Sequence, residues 1–202
     1  MTQATAVDTR ELIIVSAYAC FCEHGLHKTT IVDIAQQAKV SRSTVYEYFR
    51  DKSALVEACA EHVSERFYRE MSKAMDRGTT LEHKLSRAAV FVTQARRIIA
   101  SEKYFDEEEV SLLLTKDAAV LLRECGEFLA PYLAAAKLTG EVRKDLDVVS
   151  AGEWFGRMLF SLFTTPSSIL DMNDPEAVAE FVRVHAVRGF AGDRPRPRRA
   201  VE

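Results

Sequence analysis

The sequence predicts an all-α fold, and three observations carry that prediction. Apolar residues recur at spacings of three and four along most of the chain, the period of a helix with one buried face. The 202 residues include only 8 Gly and 5 Pro, with no Pro before Pro131, too little turn chemistry for a sandwich or barrel of many hairpins. No stretch alternates apolar and polar residues for long enough to defend a strand. With 48% apolar and 28% charged residues there is enough apolar surface to close a core, which excludes a disordered chain.

The elements follow in order. Residues 1–7 read as a frayed arm. From Asp8 to His24, Ile13, Ile14, Ala17, Cys20 and Phe21 keep helical spacing, and Gly25 is a natural stop. Thr30 caps a short helix, Ile31 to Ala38, with Asp33 three residues on in a capping-box arrangement. Lys39-Val40 forms a tight turn, Ser41 caps a third helix through Phe49, and Asp51 caps a fourth from Lys52 to about Met75. Gly78 breaks the chain before a fifth helix from about Thr80 to Ser101. The acidic run Asp106 to Glu109 sits where another helix begins and suits the positive end of its dipole. A helix from about Thr115 to Lys137 contains Pro131, which is expected to kink or interrupt it. Asp147 caps an apolar helix to about Thr164, and Asp174-Pro175 opens a last one ending near Gly189.

The net charge of −3 excludes a polyanion binder of the wholesale basic type, so nucleic-acid binding needs a local patch. No apolar run approaches the ~18–20 residues needed to span a bilayer, and the N-terminus has no secretory pattern. The expected compartment is a reducing cytoplasm, with Cys20, Cys22, Cys59 and Cys125 as free thiols. Their spacing fits no zinc site, and His24, His27, His62, His83 and His185 do not cluster as ligands, so no metal or cofactor is expected.

Residues 25 to 53 carry the chemistry. Ile31, Ile34 and Ala35 of one short helix are expected to face Val45 and Phe49 of the next, with Ala17 and Phe21 closing the core from behind. Val40 before the cap and Val45 in the helix form a hydrophobic staple that sets the angle of the second helix. The opposite face then shows Arg42, Ser43, Thr44, Tyr46 and Glu47. Such a face suits a major groove, where Arg pairs bidentately with guanine and hydroxyls reach bases or phosphates. Between Lys28 and Lys52 the local charge is +2 in a chain that is net negative. Thr30 and Ser41 act as caps first and DNA contacts second. The expected DNA contacts are Thr30, Lys39, Ser41, Arg42, Ser43, Thr44, Tyr46, Tyr48 and Lys52, in a helix-turn-helix arrangement.

The set Gly25, Thr29-Thr30-Ile31, Ile34-Ala35, Ala38, Val40-Ser41, Thr44, Tyr46, Tyr48-Phe49, Lys52 and Leu55 resembles the DNA-binding domain of the TetR (tetracycline-repressor-like) family over roughly residues 10 to 56. The resemblance implies a ligand-responsive transcription factor, usually a repressor, acting as a homodimer on double-stranded operator DNA. Three positions depart from the common pattern. Lys39 stands where the family commonly has Gly, Ser43 where it often has Gly, and Tyr48 where it often has His. A positive φ at Lys39 would cost of order 1 kcal/mol relative to Gly.

The implied organisation is a helix-turn-helix domain over residues 1–52, a larger helical domain for ligand binding and dimerisation over 53–190, and a disordered tail over 191–202. Gln94, Tyr104 and Trp154 are the polar groups expected to line a ligand pocket, and a mainly apolar effector is expected. Gly152, Phe155, Gly156, Leu159 and Phe163 share one helical face, and Val178, Phe181, Val182 and His185 another. Both are expected to form the dimer interface, with the two glycines admitting a close helix. An activator or a ligand-independent DNA binder fits the same residues. An enzyme is disfavoured, because the sequence has no nucleophile elbow, no HExxH and no phosphate-binding glycine loop.

Overall fold

The computed structural model describes residues 2–101 and 118–190. Among them run eight α-helices: α1 (Thr2–His24), α2 (Ile31–Gln37), α3 (Arg42–Tyr48), α4 (Lys52–Met75), α5 (Leu81–Ser101), α6 (Ala118–Thr139), α7 (Val148–Thr164) and α8 (Pro175–His185). A 3₁₀ turn, Val187–Gly189, follows, and the described residues contain no strand. Tyr104, the acidic run Asp106 to Glu109 and the tail from Ala191 lie outside the described residues.

The all-α expectation holds, with local corrections. The expected frayed arm is helical, because α1 begins at Thr2. Ala4 and Ala6 favour helix, and neither Gly nor Pro interrupts this stretch. Pro131 does not break α6, which runs through it to Thr139. Pro131 and Glu127 are both exposed, so the helix loses one amide bond on its solvent side, where water can replace it. The last α-helix ends at His185 rather than near Gly189, and the chain tightens into the 3₁₀ turn instead.

The chain divides into two compact units, with one boundary inside α4 between Arg69 and Glu70. The core of the first holds Ile13, Ile14, Ala17 and Cys20 from α1, Ile34 and Ala35 from α2, Val45 and Phe49 around α3, and Leu55, Ala58 and Cys59 from α4. Burial pushes the Cys59 thiol up to about 12.

The core of the second unit includes Met71, Met75, Leu85, Ala89, Leu129, Leu133, Phe155, Leu159, Val178 and Val182. Here the expected dimer surface is corrected. Phe155, Val178 and Val182 are fully buried within the single chain, and Gly152, Gly156 and Leu159 are buried with them. The glycine pair does admit a close helix, but it is α6 of the same chain. A Cβ on Gly152 would stand 3.1 Å from the Gly126 carbonyl oxygen, and one on Gly156 would stand 3.4 Å from Cys125 Sγ. The second unit needs the apolar stripes of α7 and α8 to close its own core. Of the residues expected at an interface, Phe163 and Phe181 are half-buried and His185 is exposed.

Candidate nucleic-acid interface

The α1–α4 unit orients α3 through a chain of local fastenings. Gly25 stops α1 with φ of 82°, a left-handed conformation that suits glycine. Thr29, 1% exposed, then ties the loop down, its hydroxyl 2.8 Å from the Gly25 carbonyl oxygen and 3.0 Å from that of Cys20. Its role was hidden in the sequence beside the more obvious cap Thr30.

Thr30 forms the capping box read from the sequence. Asp33 N–H donates to Thr30 Oγ1 at 3.3 Å, and Thr30 N–H donates to Asp33 Oδ2 at 2.8 Å. The Thr30 hydroxyl also donates to that carboxylate at 2.7 Å. These bonds, the side-chain one first, hold the Asp33 carboxyl below its ordinary value.

The turn out of α2 is a Schellman motif. Lys39 N–H donates to the Gln36 carbonyl at 3.1 Å and Val40 N–H to the Ala35 carbonyl at 3.0 Å. Lys39 sits at the position that motif usually gives to glycine, with φ of 54°. The strain expected from the sequence is therefore present, and the Lys39 side chain is exposed.

Ser41 caps α3, accepting from Thr44 N–H at 3.0 Å, with its Oγ 2.6 Å from Ser43 Oγ and 2.9 Å from Thr44 Oγ1. Val45 is fully buried and Phe49 is 5% exposed, so α3 is pinned by one face, with Val40 packed against the same core as the staple requires. The other face carries Arg42, Ser43, Tyr46 and Glu47, all exposed, with Thr44 and Tyr48 half-buried at its edges. Tyr46, 48% exposed, projects a large amphipathic side chain with no core role.

Lys52 has a part within the chain that its sequence position did not suggest. Its ammonium donates to the Leu26 carbonyl at 2.5 Å, fastening the start of α4 to the loop after α1. Arg50 pairs with Asp51 at 3.2 Å, and Asp51 also caps α4 by accepting from Ala54 N–H at 2.8 Å. Lys28, Lys39 and Arg42 remain as exposed cations around α3. The structure thus brings Thr30, Lys39, Ser41, Arg42, Ser43, Thr44, Tyr46 and Tyr48 onto α3 and its approach, and gives Lys52 a fastening bond as well.

A short exposed helix pinned by one apolar face, entered through a tight turn from a second short helix, is the geometry that places side chains in a DNA groove. Residues 13–59 match the family described as "Bacterial regulatory proteins, tetR family". That segment is thus a TetR-family domain. A probable acrEF/envCD operon repressor of Escherichia coli K12 is 44% identical over 54 residues, 27% of this chain and 24% of that protein. The chain thus matches about a quarter of that relative's length. A probable regulator of Pseudomonas putida, ArpR, is 26% identical over 162 residues, covering 74% of this chain and 76% of its own. The crystal structure of the regulator FadR from Bacillus subtilis in complex with stearoyl-CoA shares the fold, with a TM-score of 0.57 and 20% identity over 87% of this chain and 97% of FadR.

In the second unit, Gln94 and Trp154, the two expected ligand residues that the structure describes, are not brought together. Gln94 is exposed on α5. Trp154 packs edge-on against Phe190, with ring centroids 5.6 Å apart, and lines an open concavity of about 390 Å³ that Gln94 does not line. Leu146, Ala151, Ala186 and Phe190 give that concavity apolar surface, and Arg143, Asp147 and His185 add polar groups.

Proposed function

We propose that the chain is a ligand-responsive, DNA-binding regulator of transcription, acting in the cytoplasm as a repressor that a small molecule releases from its operator. The observation that carries this is α3 itself, pinned by Val45 and Phe49 and presenting Arg42, Ser43, Tyr46 and Glu47 outward. A homodimer places two such helices in successive major grooves, ~34–36 Å apart or a multiple of it, on a palindromic operator. Phe163, Phe181 and His185, still accessible on α7 and α8, are the members of the expected interface available to a second subunit.

The effector in this reading is mainly apolar with one polar end. The apolar surface around Trp154, with charged groups beside it, supports that chemistry. The acyl-CoA carried by FadR is a ligand of the same general character. Release requires the effector to bind the two states of the protein unequally, with ~1–3 kcal/mol of coupling typical.

A mobility-shift assay with the DNA immediately upstream of the chain's own gene tests the reading. A discrete complex that resists excess unrelated duplex supports it, and release by small molecules co-purified with the protein supports the regulatory half. Equal competition by unrelated DNA overturns the operator reading.

A further inference from the structure

We propose that Arg10, on α1 and outside the helix-turn-helix segment, binds a backbone phosphate of the operator beside the groove that α3 enters. The proposal rests on the DNA-binding reading above and adds a residue to it. The guanidinium carbon of Arg10 lies 5.3 Å from the centroid of the Phe49 ring. Phe49 is both the C-cap of α3 and a core residue, so its ring is a fixed platform at the end of that helix. A cation over a ring face is held electrostatically, and the contact leaves the five guanidinium N–H donors free for an anion. The long arginine side chain is thereby ordered in advance, which lowers the entropic cost of a later contact.

The charge map around α3 supports the same assignment. Arg10 is exposed, and among the residues from Thr9 onward whose side chains are described no carboxylate forms an ion pair with it. The adjacent Glu11 is 3.1 Å from His62 Nδ1, and Asp51 is taken by Arg50 at 3.2 Å. Arg50 and Lys52, which sequence alone counts toward the positive patch, are engaged within the chain. Lys52 keeps its charge, since its partner is a neutral carbonyl, while Arg50 is ion-paired; Arg10 adds a further cation next to α3, and a planar guanidinium suits a phosphate bidentately.

The test is fluorescence anisotropy of the full chain on a labelled duplex from its own upstream DNA, across a salt series, for the parent, Arg10→Gln and Arg10→Lys. Arg10→Gln should reduce the slope of log affinity against log salt by ~0.9 and weaken binding about eightfold at 0.1 M salt, the effect of one released counterion. Arg10→Lys should keep the parent slope, because the charge is retained. The loss in Arg10→Gln should be equal on operator and unrelated duplex, since a phosphate contact carries no sequence information. Parent-like slope and affinity in Arg10→Gln, with unchanged helical circular dichroism, would overturn this inference and leave the DNA-binding reading standing. A parent that binds no duplex at any salt would overturn both.

Discussion

Replacing Lys39 by glycine separates what this residue does for the fold from what it does for DNA. Lys39 occupies a left-handed conformation, φ 54°, at the end of α2. For an L-residue that conformation costs ~1–2 kcal/mol, and glycine adopts it freely. The added freedom of glycine in the unfolded chain returns ~0.4–1 kcal/mol of this. The backbone bonds from Lys39 to Gln36 and from Val40 to Ala35 use main-chain atoms only and survive the substitution. Lys39→Gly should therefore stabilise the protein by ~0.5–1 kcal/mol, raising the melting temperature by about 1–4 °C for a chain of this size. The same change removes an exposed cation at the entry to α3. Operator affinity should fall severalfold, and the salt dependence should lose ~0.9 from its slope. Calorimetry and anisotropy on one preparation read both effects. Unchanged stability would refute the strain argument, and a stabilised variant with parent-like affinity and salt slope would remove Lys39 from the DNA contacts.

Three further substitutions follow from the geometry. Tyr46→Ala should weaken operator binding at least tenfold while leaving the melting temperature within a degree or so, because Tyr46 is half exposed and fills no core space; a loss of stability matching the loss of binding would show a packing role. Lys52→Met should cost ~1–3 kcal/mol in denaturant unfolding, since it removes a charge-assisted bond to the Leu26 carbonyl; a stability-neutral variant would make that contact dispensable. Gly156→Leu should cost ~1–3 kcal/mol by forcing α7 away from Cys125 and Leu122 of α6. That loss should appear at protein concentrations too low for association, and a loss seen only in the dimer would return Gly156 to the interface between subunits.

The fold was legible wherever a local rule decides the outcome. Thr30, Ser41, Asp147 and Asp174 all cap helices as their positions suggest, because a cap depends on residues within three positions of itself. The strained backbone at Lys39 was legible for the same reason, the turn type being set by a few neighbours. What could not be read were questions of partner. The apolar stripes on α7 and α8 look the same whether they meet a second subunit or α6, and only the three-dimensional path of the chain shows that Gly152 faces Gly126. Lys52 likewise reads as a free cation until folding brings it to Leu26, 26 positions earlier. Arg10 was overlooked because nothing in its own neighbourhood announces Phe49, 39 residues away on the chain.

In the proposed mode of action α3 enters the major groove of a specific operator. Hydroxyl-radical footprinting of the full chain on its own upstream DNA tests it most directly, with Tyr46→Ala run beside the parent. Discrete backbone protections should repeat about one helical turn apart, ~34–36 Å or a multiple, and should be lost at the same protein concentration in Tyr46→Ala. Uniform protection along the duplex, or a footprint that Tyr46→Ala leaves intact, would contradict it.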